Sequence, residues 1–170
     1  MKKRLFTALA LLLGLAAALS GGGASQTQEE FEAPIPTLTL RIGDQSTAVP
    51  TFGYSWTREV RGVGESVVAD TAHPLQVLED LTRAAASAGD TVGLDFSLLP
   101  DSVTVTCWTA DQADGPIEEG ERLESTFSNG QFLFTAPESS QDLVLLIEGQ
   151  WTGYEEVSGH VGYALVLSLT

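Results

Sequence analysis

Apolar and polar side chains alternate along two consecutive stretches near the end of the chain. Leu143, Leu145, Ile147 and Trp151 share one side of the first stretch, and every second residue of Val161–Leu169 does the same in the second. A period of two is typical of a β-strand with one buried face. The pattern predicts two strands that pair as the closing hairpin of an antiparallel β-domain.

Similar alternation recurs in shorter segments between residues 37 and 135, separated by turn residues. Asn129-Gly130 lies between two of these segments and is a strong hairpin signal. Eight or nine short strands with at most one short helix are typical of an antiparallel β-sandwich of the immunoglobulin or fibronectin type III kind. We therefore predict an all-β fold of this class.

The alternation also predicts which side chains form the core, because one face of each strand must be buried. Cys107 has the same register as its strand's apolar residues and is expected to point inward as a small hydrophobe rather than act as a nucleophile. The other expected core residues are Leu38, Leu40, Trp56, Val92, Leu94, Phe96, Val103, Val105, Phe132, Phe134, Leu145, Ile147, Trp151, Tyr163, Leu165 and Leu167.

One segment, residues 75–87, has a different period. Leu75, Leu78 and Leu81 recur at helical spacing, Pro74 suits a first helical turn, and Gly89 suits a C-terminal cap. We predict a short helix here. The alternative is a loop that lies across the edge of the sheet.

The first 24 residues have the layout of a secretory signal peptide. A basic start (Lys2-Lys-Arg4) precedes the apolar run Leu5–Leu19 and the small residues of Ser20–Ser25. The apolar run is shorter than the roughly 20 residues that span a bilayer, so cleavage is favoured over an uncleaved anchor. We assign residues 25–36 to an acidic flexible tether and 37–170 to the domain, with no transmembrane helix in the mature chain.

Leu19-Ser20-Gly21 also resembles the beginning of a bacterial lipoprotein processing site, which requires cysteine at the next position. This chain has Gly22 there, so it cannot be lipid-modified at that point. The N-terminus therefore predicts an extracytoplasmic protein, secreted or associated with the cell envelope, rather than a lipoprotein.

The predicted mature chain is strongly acidic. Five arginines remain after the leader against 23 acidic residues, a formal charge of −18. Such a polyanion is repelled by nucleic acid and by anionic lipid surfaces, so neither is an expected partner. The charge is consistent with solubility outside the cell, or with a cationic partner or divalent ion.

Carboxylates are densest in the segment 111–121. One cysteine and two separated histidines cannot supply the usual zinc ligands, but calcium prefers oxygen ligands from such loops. The weak calcium candidates are Asp111, Asp114, Glu118, Glu119 and Glu121. The spacing does not fit an EF-hand, so a solvated acidic loop is the favoured interpretation, and we predict no cofactor.

A catalytic constellation is not recognisable in the sequence. The histidines are His73 and His160, and the serines include no Gly-x-Ser-x-Gly elbow. We expect His73 to cap a helix or turn, and we expect no enzyme activity. Aromatics such as Tyr54 and Trp108 could line a groove, although core packing is favoured for residues on alternating strands.

Four short motifs carry a resemblance to a known group of proteins. Tyr54-Ser-Trp-Thr57, His73-Pro-Leu-Gln76, Pro100–Trp108 and Glu148-Gly-Gln-Trp151 resemble uncharacterised exported domains of bacterial envelope proteins. Those domains occur as small lipoproteins or as extracytoplasmic parts of membrane-bound regulators. The resemblance implies location and fold but no activity, and Gly22 departs from the lipoprotein pattern.

These observations favour an exported binding or sensing domain of the cell envelope, monomeric and without catalytic activity. The partner would be an envelope or extracellular protein or a glycan, bound by loops at one end of the sandwich or at an exposed sheet edge. The weak binding candidates are Tyr154, Glu155 and Glu156 in the closing hairpin's loop. The alternatives are a structural spacer or stalk and a small hydrolase with an unrecognised site.

Overall fold

The computed structural model describes residues 35–60, 63–154 and 157–170. The predicted signal peptide (1–24) and the tether over residues 25–34 lie outside the described residues. None of the helices in the described part of the chain has the length and apolar character needed to cross a bilayer.

Over the described residues, the chain forms twelve strands and two short 3₁₀ helices. In chain order they are β1 (Leu38–Ile42), β2 (Gln45–Val49), β3 (Thr51–Val60), β4 (Val63–Ala69), η1 (Pro74–Asp80), β5 (Thr82–Ala86), β6 (Thr91–Phe96), β7 (Ser102–Thr109), η2 (Ala110–Asp114), β8 (Glu121–Leu123), β9 (Ser125–Ser128), β10 (Gln131–Thr135), β11 (Leu143–Tyr154) and β12 (Val157–Leu169).

The strands form two sheets. Sheet A has the order β2-β1-β6-β10-β9; sheet B has the order β4-β3-β12-β11-β7-β8, with β5 also paired to β12. Every pair is antiparallel except β5 with β12. The predicted all-β sandwich is confirmed, whereas the predicted eight or nine strands were too few. The specific likeness to immunoglobulin or fibronectin type III domains stays a prediction.

The predicted closing hairpin is confirmed as β11 and β12, which pair from Leu143↔Leu167 to Tyr154↔Val157. Since β11 occupies one edge of β12, β3 and β5 must share the other. β12 is therefore the central strand of sheet B.

The two strands that share this edge of β12 divide it near Pro50. β3 pairs with β12 as far as Thr51↔Tyr163, and Pro50 separates β3 from β2, which belongs to sheet A. β5 pairs with β12 from Leu165 onward. β3 therefore pairs with the first half of β12 along this edge, and β5 pairs with the second half.

The predicted helix over residues 75–87 is only half correct. Residues 74–80 form a 3₁₀ helix, interrupted by non-helical angles at Val77, and residues 82–86 form strand β5. Leu75, Leu78 and Leu81 are three residues apart, which also fits the three-residue turn of a 3₁₀ helix. Beyond them, exposed and buried residues alternate through Ala86, which is the period of a strand.

A second edge of the sandwich is closed by a strand that changes sheets. β8 belongs to sheet B and β9 to sheet A, with Glu124 between them, so the chain passes from one sheet to the other at this edge. The predicted hairpin that follows is confirmed. Asn129 and Gly130 have φ angles of 54° and 80° and join β9 to β10.

The inner faces of the two sheets form the main core, as the alternation predicted. Every expected core residue is buried except Phe96, which is partly buried and packs against the core, and Cys107 points inward. Trp151 makes edge-to-face contacts with Trp56 and Phe96, with ring centroids 5.4 and 6.1 Å apart. Burial of such large apolar side chains contributes about 1.5–3 kcal/mol each.

Two residues assigned to the tether belong to the domain. Ile35 packs against the core, and buried Pro36 accepts a hydrogen bond of 2.6 Å from the Tyr163 hydroxyl to its carbonyl oxygen. Burial raises the pKa of Tyr163, which keeps the hydroxyl protonated as a donor. The domain boundary at residue 37 was therefore placed too late.

The outer face of sheet B is covered at one end by η1. Leu75, Trp108 and Val144 form a second buried cluster, here called the outer cluster, with Leu78 and Leu146 packed against it. The indole N–H of Trp108 donates to the Glu118 carbonyl oxygen at 3.0 Å. The indole therefore joins η1 to the acidic loop before β8.

We predict that Gly159→Ala lowers the free energy of unfolding by at least about 2 kcal/mol. Gly159 has a φ of 147°, and a Cβ there would collide with the Ser55 carbonyl oxygen on the paired strand. The control is Gly115→Ala, because a Cβ at Gly115 meets nothing within 4 Å and its φ is −131°. Urea unfolding followed by tryptophan fluorescence measures both, and equal stability of the two variants would refute the steric argument.

Candidate functional site

The outer face of sheet B changes from apolar to polar along β11 and β12. In register, Val144 lies opposite Val166, Leu146 opposite Ala164, and Glu148 opposite Gly162. His160 is the next outward residue of β12. The helix η1 therefore covers the apolar end of this face of sheet B, and polar side chains lie at the end that η1 does not cover.

Two paired glycines create a depression at this boundary. Gly53 of β3 lies opposite Gly162 of β12, so two adjacent outward positions have no side chain. A Cβ on Gly162 would lie 3.5 Å from Leu146 Cδ1, and a Cβ on Gly53 would lie 3.3 Å from the Thr71 hydroxyl oxygen. Glycine inside a strand often marks such a close approach of ligand or chain.

The segment between β4 and η1 forms the wall of the depression. His73 Nδ1 accepts a hydrogen bond from the Leu75 N–H at 3.3 Å, and the Gln76 side chain accepts one from the His73 N–H at 3.1 Å. This reciprocal pair is a capping box, and Pro74 is buried beneath it. The predicted capping role of His73 is confirmed.

Floor and wall enclose a cleft of about 460 Å³, here called the two-histidine cleft. The lining residues with polar or ionisable side chains are Ser55, Asp70, Thr71, His73, Glu148 and His160, together with Tyr54, which also packs against the main core. Sequence reasoning singled out the histidines but not Ser55, Asp70 or Glu148. The isolated strand glycines Gly53 and Gly162 were the signal that could have found the cleft.

The environment of His73 determines its protonation. Its ring makes an edge-to-face contact with Trp108, with centroids 4.7 Å apart, and burial lowers the pKa of His73 below its usual 6.5. Since Nδ1 accepts from a backbone N–H, the neutral ring carries its proton on Nε2. His73 is therefore a neutral cap whose remaining ring group is a donor.

The cleft brings together residue types used in hydrolysis, but not in a catalytic arrangement. Within the described ranges, no hydrogen bond joins His73 or His160 to Ser55 or to a carboxylate of the cleft. In the same part of the chain, no group of three His, Cys, Asp or Glu side chains is placed to hold a metal ion. The arrangement offers hydrogen bonds and negative charge to a ligand.

The five calcium candidates are only partly brought together. Asp111, Glu119 and Glu121 line a pocket of about 380 Å³ that Trp108 also lines, whereas Asp114 and Glu118 do not line it. The Asp111 carboxylate accepts a hydrogen bond of 2.5 Å from the Thr109 hydroxyl, which lowers the pKa of Asp111.

The same pocket reaches Cys107. Burial, with a smaller effect of Glu121, raises the pKa of the Cys107 thiol to about 11. A thiol of that pKa is a poor nucleophile at neutral pH, which agrees with its predicted structural role.

The predicted binding candidates of the closing hairpin cannot be placed in a site. Glu155 and Glu156 lie outside the described residues, and Tyr154 is described only as the last backbone position of β11.

Comparison with known proteins identified no relative: no family model, no curated protein and no solved structure matches the chain. The resemblance to exported envelope domains accordingly stays a prediction.

We predict that acid destabilises the domain through His73. The pKa of His73 is lowered by folding, so the unfolded chain binds the proton more tightly; stability is complete above pH 6.5 and is lost as the pH falls through the folded-state pKa. Asn caps helices without titrating, so His73→Asn should show a smaller stability difference between pH 7.5 and 5.5 than wild type.

The control for this prediction is Gln76→Ala, which removes the other capping hydrogen bond and should cost about 1 kcal/mol at both pH values. Hydrogen bonds from Thr152 and Thr109 lower the pKa values of Asp101 and Asp111 from 3.8, so neither group titrates in this window. Urea unfolding at the two pH values gives the comparison. An unchanged pH dependence in His73→Asn would contradict the assignment.

Proposed function

We propose that this chain is an exported domain of the cell envelope that binds a ligand in the two-histidine cleft and does not catalyse a reaction. The observation that carries the proposal is the cleft itself, with its side-chain-free floor at Gly53 and Gly162 and its polar walls. Small-molecule sites are typically concave and combine apolar surface with a few convergent polar groups.

A binding role is favoured over catalysis by the way His73 is used. Its Nδ1 is committed to the Leu75 N–H, so it has no free lone pair with which to activate a nucleophile in the folded state. Ser55 is half-buried and has no hydrogen bond to either histidine in the described part of the chain. A triad requires such contacts between nucleophile and base.

Export is supported by the sequence. The basic start, the apolar run Leu5–Leu19 and the small residues after it form a signal-peptide pattern. The acidic composition suits a soluble domain outside the cell, and the resemblance to exported envelope domains points to the same location. Since Gly22 stands where lipidation requires cysteine, attachment through a lipid at this point is not part of the proposal.

A small hydrolase is the second candidate, and one observation favours it. Both histidines, Ser55 and two carboxylates line one cleft although they come from three separate parts of the chain, namely residue 55, residues 70–73 and residues 148–160. For His73 to serve as the base, ligand-induced movement would have to free its Nδ1 from the Leu75 N–H. Turnover of p-nitrophenyl acetate by wild type that Ser55→Ala abolishes would favour this candidate over a binding domain.

We predict that ligands of this protein bind over the glycine floor and that Gly162→Ala weakens them by about tenfold. A Cβ at Gly162 would lie at ordinary contact distance from Leu146 and the Gly53 carbonyl oxygen, so the fold should tolerate it while the cleft becomes shallower. The measurement is backbone amide shifts on adding mixtures of amino acids, amines, simple sugars and short peptides at millimolar concentration.

Gly115→Ala is the matched control, since Gly115 lies in the acidic loop and lines no part of the cleft. Ligand-induced shifts should centre on Ser55, His160 and Gly162. Shifts confined to other surfaces, or equal affinity in Gly162→Ala, would show that the cleft is not the binding site.

We predict that residues 1–36 export a fused reporter. Fusion to an alkaline phosphatase that is active only outside the cytoplasm should give activity, and the reporter should be recovered without residues 1–24. Deleting Leu5–Leu19 removes the apolar run and should abolish the activity. Activity retained without that run, or an uncleaved fusion, would contradict the proposed signal peptide.

A further inference from the structure

The charges around the two-histidine cleft have one sign. Asp70 and Glu148 line the cleft, and Asp80 lines a second pocket beside it. No lysine or arginine is among the described residues that line either pocket. Arg83 of β5, on the same sheet as the cleft, is paired with Asp142 at 2.8 Å.

His73 does not reverse this sign. His73 is neutral above pH 6.5, because burial lowers its pKa, and its lone pair at Nδ1 is occupied by the Leu75 N–H. His160 is exposed on β12. Glu148 lies on the neighbouring strand β11, opposite Gly162, which is the outward residue next to His160 on β12. At neutral pH the cleft therefore presents carboxylates and hydroxyls, which suit a cationic group that donates hydrogen bonds.

An apolar pocket continues from the cleft. It has a volume of about 380 Å³ and shares the lining residues Phe52, Thr71 and Ala72 with the cleft, so the two pockets adjoin. Its other apolar lining residues are Pro50, Val77, Leu81 and Ala164. Most of its surface comes from carbon atoms, which suits a hydrocarbon portion of a ligand.

We propose that the cleft and this apolar pocket together bind an organic cation, in which a primary ammonium or guanidinium group is attached to a hydrophobic body. The cationic group lies between Asp70 and Glu148, and the hydrophobic body occupies the pocket lined by Phe52 and Leu81. This inference rests on the proposed binding function and specifies its ligand class. A lysine or arginine side chain beside an apolar residue in a peptide, and a free alkylamine, both have this chemistry.

Matched probes test the charge requirement on the purified protein by amide-shift titration. The cationic probe is N-acetyl-Leu-Lys-Leu-amide, and its neutral and anionic counterparts carry Gln or Glu in place of Lys. The Lys peptide should bind about five- to tenfold more tightly than the Gln peptide at low salt, and the Glu peptide more weakly than both. The advantage should diminish at high salt, because exposed charges are screened.

Substitution of the two cleft carboxylates shows whether they are the source of the preference for the Lys peptide. Glu148→Gln and Asp70→Asn should each reduce the affinity for the Lys peptide about two- to fivefold and leave that for the Gln peptide unchanged. Glu124→Gln, a change of the same type at an exposed residue that lines neither pocket, should have no effect. Leu81→Ala should weaken the Lys and Gln peptides alike.

Hexylamine and hexanol separate the two sources of the ligand. Binding of hexylamine but not hexanol at the cleft identifies a small amine as sufficient, whereas binding of the Lys peptide alone identifies a peptide; both results support the inference. Equal binding of the Lys and Gln peptides, or preference for the Glu peptide, overturns the inference. If the peptides bind equally and still shift the amide signal of Gly162, the proposed binding function stands and only the preference for a cation is refuted. If no probe shifts the amide signals of the cleft residues, the proposed binding function itself is refuted.

Discussion

Burial of β12 on both faces is the constraint on which the rest of the structure depends. Residues 161–167 are all buried, although an antiparallel sheet commonly leaves one face in water. Sheet A covers the inner face, and η1 with its outer cluster covers part of the other. β11 occupies one edge, and β3 and β5 divide the other. The parallel strand β5 is explained by this need, because the edge of β12 beyond Tyr163 would otherwise lack partners.

The position of the two-histidine cleft is determined by how far η1 extends over the outer face of sheet B. η1 lies over the rows of sheet B that contain Val144 and Leu146, and the next row, Glu148 opposite Gly162, is uncovered. His73 stands at the boundary, where it caps η1 and packs against Trp108. Trp108 in turn holds the acidic loop through the Glu118 carbonyl oxygen. One aromatic side chain thus contacts the cap, the helix and the loop.

Sequence periodicity predicted the features that depend on neighbouring residues. Alternation identified the hairpin of β11 and β12 and nearly all of the core, and Asn129-Gly130 identified the separate turn that joins β9 to β10, because each signal is local. The helical spacing of Leu75 and Leu78 just before β5 favoured a helix over this region. The strand β5 was not predicted, moreover, because it pairs with a segment of β12 about 80 residues away in sequence. The cleft was missed for the same reason. Ser55, Asp70 and Glu148 are brought together only by the strand order.

The double role of His73 limits what the cleft can do chemically. A neutral histidine has one donor and one acceptor nitrogen, and the acceptor Nδ1 already receives the Leu75 N–H. The ring can therefore donate to a ligand through Nε2 but cannot take a proton without weakening the cap of η1. Catalysis by this histidine would require its capping hydrogen bond to η1 to break at each turnover, whereas ligand binding leaves that hydrogen bond intact. The cost of releasing a helix cap, about 1 kcal/mol, is not prohibitive by itself, but the released ring would also lose its contact with Trp108. The arrangement consequently favours a stable binding surface over a general base.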